Sequence, residues 1–187
     1  MSSAYIEVVK VHTYPRPKTK TYPKRTFITG FVGCLVIFFG LSLLPFWEGF
    51  LSAYLKISAR LSNGLLLLVG ENSLVSGTTI WSRNYSINVA SGCSALELAF
   101  FFFAAVVAFP TSVASWKQKF AGLVIGIPTL GVCNLIRIAS LYWLGVHYPN
   151  LFNTAHHGVW PGLLLFFTLA LCALWLQWIL PKPEKAW

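Results

Sequence analysis

Four apolar runs constrain this chain more than any other feature. They cover residues 27–46, 95–113, 120–144 and 156–180, and each is long enough to reach across a hydrocarbon layer about 30 Å thick. Backbone in lipid must satisfy its own N–H and C=O groups, which leaves helices or a closed barrel. A barrel strand needs only about ten residues, so runs of this length predict helices. Charged residues are 10% of the 187, against about 25% in a soluble domain. The predicted fold is an all-α integral membrane protein: a bundle of about four transmembrane helices, an interfacial helix and a short extracytoplasmic hairpin.

The remaining segments fill in this scheme. Residues 1–26 are polar and carry Lys10, Arg16, Lys18, Lys20, Lys24 and Arg25 against the single acid Glu7, which predicts a basic cytoplasmic tail. The first apolar run lacks a small-x-small cleavage site, so no cleavable signal peptide is expected. In 51–69, Lys56 and Arg60 fall at i,i+4 on one face, which suits a helix lying in the interface; a full span is the alternative. Residues 70–90 are polar and β-prone, and Thr78-Thr79-Ile80-Trp81 and Tyr85-Ser86-Ile87-Asn88-Val89 flank a turn at Ser82-Arg83-Asn84, predicting a hairpin. The third apolar run is interrupted by Pro128. Residues 145–155 read as a short polar loop, and 181–187 as a second basic cytoplasmic tail. The membrane-embedded domain is therefore 27–180.

Net charge is +9, from 14 Lys+Arg against 5 Asp+Glu. In a membrane protein this basicity sets topology, and nucleic-acid binding is not expected. With both tails and the 117–119 loop in the cytoplasm, ten of the 14 basic residues lie inside, as the positive-inside rule requires. Four spans give that arrangement only if 51–69 does not cross. Residues 70–92 and 145–155 then lie outside. Secondary contact of the basic tail with anionic membrane lipid is also expected.

Chemistry concentrates at Ser91-Gly92-Cys93-Ser94-Ala95-Leu96-Glu97. Of Cys34, Cys93, Cys133 and Cys172, only Cys93 sits among small and polar residues; the other three lie inside apolar runs. Ser94-x-x-Glu97 reads as a capping box, which puts Cys93 just before a helix N-terminus, where the positive end of the dipole favours a thiolate. The plain alternative is a cysteine used as a small residue in a turn. Arg137 lies within an apolar span at a cost of about 2.5 kcal/mol or more, and is a functional candidate for that reason; the alternatives are snorkelling or a structural pair with Glu97. Asn134, one turn earlier, is placed to orient Arg137. Cys133 is read as packing. His156 and His157 open the last span. At 1.5 Å per residue, the helical paths from Lys119 to Arg137, from Lys117 back to Cys93 and from Leu180 back to His156 run roughly 27, 36 and 36 Å, so Cys93, Arg137 and His156 share one outer layer. A cysteine, a histidine and a cation at one depth suit acyl transfer. There is no CxxC and no His-Glu-x-x-His pattern, so neither a metal nor a cofactor is expected.

The order Cys93 in a small-residue turn, then Asn134-Leu135-Ile136-Arg137-Ile138, then Ala155-His156-His157-Gly158-Val159-Trp160 resembles the exosortase/archaeosortase family of membrane transpeptidases, over roughly residues 27–180. The resemblance implies a cysteine transpeptidase or thiol protease of the cell membrane. Its partner would be the C-terminal sorting signal of a secreted protein: a short motif, a transmembrane helix and a basic end, cleaved at the extracytoplasmic face. Water, or a lipid or glycan acceptor, would take the acyl group. It assigns Cys93 as nucleophile, Arg137 as stabiliser and His156 as proton donor and acceptor, because Trp160 stands four residues after His156. His157 is the reserve candidate, and Asn134, Ser94 and Glu97 are supporting ones. The competing reading is a non-enzymatic assembly or transport subunit held by an Arg137–Glu97 pair.

Overall fold

The computed structural model describes residues 24–90 and 95–180. The expectations for the N-terminal tail up to residue 23, for Cys93 and Ser94, and for the tail at 181–187 lie outside the described residues.

Helix α1 (Lys24–Ser42) takes up the first apolar run. It stops short of residue 46 because Pro45 begins α2 (Pro45–Leu68), where a fixed φ and a missing N–H suit the first helical position. The inward residues of α2 are Leu55, Ser58, Ala59, Ser62, Asn63 and Leu66, three and four apart and so on one stripe. Lys56 and Arg60 are exposed off that stripe. Two of its buried polar groups bond across the fold: Ser62 Oγ donates to the Leu135 carbonyl at 3.3 Å, and Asn63 Oδ1 accepts from Ser73 Oγ at 2.8 Å. Among the described residues, three helical stretches are long and apolar enough to cross a membrane, namely Lys24–Ser42, Trp116–His147 and Pro149–Ile179. Helix α2, the expected interfacial helix, is not one of them.

The expected hairpin is present as β2 (Thr79–Trp81) and β3 (Ser86–Asn88), and a further strand, β1 (Leu74–Ser76), makes it a three-stranded antiparallel meander. Gly77, at φ 61°, supplies the left-handed turn between β1 and β2 that an L-residue would resist.

Helix α3 (Leu96–Ala108) has 13 residues and rises roughly 20 Å, less than the span expected over 95–113. Phe109 ends it in an extended conformation, φ −62° and ψ 137°, because Pro110 disfavours a helical residue before it. The 36 Å helical path from Lys117 back to Cys93 is therefore not one helix. The helix starts at Leu96 with Ala95 as its cap residue. Glu97 thus sits second in the first turn, one place earlier than the predicted capping box needs; the Ser94 half of that box lies outside the described residues. Helix α3 leans on α1 through a ladder of rings: Phe27 on Phe109, Phe31 on Phe101, and Phe38 stacked on Phe100 at 4.0 Å between centroids.

Helix α4 (Trp116–His147) runs unbroken through Pro128. It opens with a capping box the sequence reading overlooked: the Ser115 N–H donates to Gln118 Oε1 at 2.9 Å, and Ser115 Oγ accepts from the Gln118 N–H at 3.4 Å. Lys119 is buried to 2% exposure, and its Nζ donates to the Val107 carbonyl at 2.7 Å. A cation thus satisfies a terminal carbonyl at the negative end of α3. The inward stripe of α4 is continuous: Lys119, Gly122, Gly126, Leu130, Asn134, Arg137, Ile138, Leu141, Tyr142 and Gly145.

The polar loop expected at 145–155 is mostly helix. After Tyr148, α5 (Pro149–Thr154) passes into a π turn (Ala155–Val159) and then α6 (Trp160–Ile179). Pro149 at the first position of α5 again makes the restart abrupt.

Two cores result. One joins α2, the sheet and the end of α4 through Leu55, Ala59, Leu66, Ile80, Val89, Ile138 and Tyr142. The other joins α3, α4 and α6 through Phe102, Val106, Leu130, Trp175 and Ile179. On α4, Leu130 belongs to one core and Ile138 to the other, and Asn134 and Arg137 fall between them.

Candidate active site

The site is built where the two cores meet. Arg137 is 5% exposed and Asn134 1%, and both occupy the inward stripe of α4. A helix places residues three apart on one face, so burial of Arg137 follows from the same period that buries Leu130, Asn134 and Leu141. Ser140 Oγ donates to the Arg137 carbonyl at 2.9 Å. Cys133 is half-buried, off the stripe.

His156 and His157 lie in the π turn. Such a turn inserts one residue into a helix and re-aims the side chains around it, and it recurs at functional sites. Here it separates two histidines of unequal setting: His156 is half-buried and His157 exposed. His156 Nδ1 lies 3.2 Å from His157 Nε2, so one ring donates to the other and the tautomer decides which. The Phe152 ring stacks on His156 at 5.6 Å, 11° from parallel. The Arg137 charge acts on the His156 ring, so these two expected site residues are brought within electrostatic reach of one another. Arg137 and His156 are both engaged by neighbours.

The other candidates are less central. Glu97 is exposed in the first turn of α3, and an Arg137–Glu97 pair is absent among the described ion pairs. Among the described residues, Glu71 Oε1 and His147 Nε2 meet at 2.6 Å, which ties the chain after α2 to the end of α4. Neither sequence separation nor period pointed to it. Asn134 bonds neither to Arg137 nor to any other described residue: its Nδ2 and Oδ1 are buried without a hydrogen-bond partner, as is the Tyr142 hydroxyl. Tyr85, beside Tyr142 at 5.6 Å between ring centroids, has its phenol pushed up by burial and then by Tyr142, so it stays a neutral hydroxyl. No group of three or more His, Cys, Asp or Glu suited to a metal is found among the described residues.

A mainly helical multi-pass membrane protein with a buried arginine in electrostatic reach of a histidine turn defines the class. The family model described as Transmembrane exosortase (Exosortase_EpsH) matches residues 25–176, and the chain belongs to that family. The family is one of sorting-signal-processing transpeptidases acting on secreted proteins. No curated protein and no solved structure matches the chain.

Proposed function

We propose that this chain cleaves the C-terminal sorting signal of exported proteins through a thioester on Cys93, with Arg137 and His156 as its partners. The observation that carries this reading is the juxtaposition of Arg137 with the His156 turn at the junction of the two cores. Chain connectivity adds Cys93, which stands two residues before Ala95 and five after β3.

His156 takes the Cys93 proton, giving a thiolate and an imidazolium. The thiolate attacks the scissile carbonyl. Arg137 stabilises the oxyanion that forms, in a setting where a fixed cation is worth far more than in water. Collapse breaks the C–N bond, and the imidazolium gives its proton to the leaving amine. The thioester then yields its acyl group to water or to an amine of a lipid or glycan acceptor, whose proton returns to His156. His157, hydrogen-bonded to His156, fixes the tautomer. The reaction is placed at the extracytoplasmic face of the cytoplasmic membrane, with both termini inside.

The test is processing of a co-expressed, exported reporter bearing a C-terminal sorting signal. Cys93→Ala should abolish cleavage at matched protein levels, and a thiol-sensitive enzyme–substrate adduct should be trapped in wild type. Normal cleavage by Cys93→Ala would eliminate covalent cysteine catalysis.

A further inference from the structure

Among the described residues, the meander has an edge, that of β3, which no strand pairs. Its strand order is β1-β2-β3, so β3 has one partnered edge and one outer edge. Residue pairing between β2 and β3 runs Thr79↔Asn88, Ile80↔Ile87 and Trp81↔Ser86. The flanking bonds are Ser82 N–H to the Tyr85 carbonyl at 2.8 Å and Val89 N–H to the Thr78 carbonyl at 2.9 Å. In an antiparallel ladder hydrogen-bonded and non-bonded pairs alternate, so the bonded pairs are Ser82–Tyr85, Ile80–Ile87 and Thr78–Val89. Ser86 and Asn88 are therefore the non-bonded pair members. Their N–H and C=O groups point away from β2, and no described backbone group takes them. Both residues are exposed. Helix α2 packs on β1 and β2, and Ile80 of β2 joins its core.

We propose that the outer edge of β3 binds an extended stretch of the sorting signal by strand addition. The Ser86 and Asn88 peptide groups pair with the substrate backbone, and the strand hands the scissile bond to Cys93. This deepens the function proposed above and rests on it. Asn88 precedes Cys93 by five residues, at most roughly 18 Å of extended chain, so a peptide paired to β3 has only a few residues to travel before it reaches the nucleophile. Backbone pairing explains how an enzyme can hold a flexible segment next to a membrane anchor while leaving its side chains free for recognition. The strand has only three residues, which limits aggregation through this edge and limits the pairing to two outward residues.

Proline separates this role from a structural one. Proline is tolerated in an edge strand where its missing N–H faces away from the ladder. Asn88→Pro removes one outward N–H and the Asn88 side-chain amide, and leaves the backbone bonds to β2 intact. It should lower kcat/KM for the detergent-solubilised enzyme about tenfold, chiefly through KM, the size expected for one lost hydrogen bond, with Tm unchanged. Asn88→Ala removes only the side-chain bond that Asn88 Oδ1 accepts from Thr78 Oγ1 at 2.9 Å, and should process normally. The second measurement uses synthetic sorting-signal peptides, each N-methylated at one position. Binding to Cys93→Ala enzyme should be lost with a period of two along the peptide, because only alternate N–H groups face β3. Loss at every position or at none, or wild-type KM in Asn88→Pro, would overturn strand addition. Processing by Cys93→Ala would instead sink the thioester reading, while the period-two pattern would still report on β3.

Discussion

At the scale of single residues, the polar groups of α4 are costly to bury and are held where two apolar cores leave room for them. The oxyanion role proposed for Arg137 calls for a planar set of donors, which a lysine ammonium does not reproduce. Arg137→Lys should therefore lose roughly a hundredfold or more in cleavage rate, read as the ratio of processed to unprocessed reporter over time. His156→Ala should cost more than His157→Ala, since His156 is the half-buried ring within reach of Arg137; the reverse order would give the proton-transfer role to His157. Asn134 offers a sharper contrast. Its amide has no partner among the described residues, and burying such a group costs about 1–3 kcal/mol. Asn134→Leu should raise Tm in detergent yet slow cleavage, the pattern of a group kept for function at the expense of stability. A fall in Tm would show that the amide stabilises the folded protein.

At the scale of elements, helix α3 is too short to cross a bilayer alone and depends on its neighbours. Gly126 of α4 lies directly under the Phe102 ring, and a Cβ there would overlap Phe102 Cε1 and Cζ. Gly126→Val should destabilise by roughly 1–3 kcal/mol through overpacking, seen as lower Tm and lower yield from membranes, while Gly131→Ala, with open space around it, should be neutral. The helices themselves were legible because a long apolar run is a strong signal that needs no tertiary context. So was the β2–β3 hairpin, from its alternation and turn. The end of α3 was equally legible in Phe109-Pro110, and the α4 cap in Ser115-Trp116-Lys117-Gln118, although neither was read. The π turn was not legible, since an inserted residue is decided by packing around His156 and not by local propensity. Burial of Arg137 and Asn134 could be anticipated from spacing, but the absence of a hydrogen bond between them could not, because rotamers are set by neighbours far away in sequence.

At the scale of the whole molecule, charge is sorted between the two ends of the bundle. The Phe27 ring meets Phe109, Phe109 meets Trp175, and Trp175 Nε1 donates to the Gln118 carbonyl at 3.1 Å. The start of α1, the end of α3, the start of α4 and the last turns of α6 therefore share one end, which carries Lys24, Arg25, Lys117 and Lys119. The opposite end holds the meander, the Glu71–His147 pair and the close approach of Tyr85 to Gly145. The positive-inside rule argues for a cytoplasmic basic end, and the proposed topology then has the meander outside. In a variant lacking Cys34, Cys93, Cys133 and Cys172, single cysteines at Asn84 and Lys117, both exposed, report on the two ends. An impermeant thiol reagent added to intact cells should label Asn84→Cys at once and Lys117→Cys only after the membrane is opened. Labelling in the opposite order would invert the protein and move the proposed chemistry to the cytoplasmic face, where an exported substrate could not meet it.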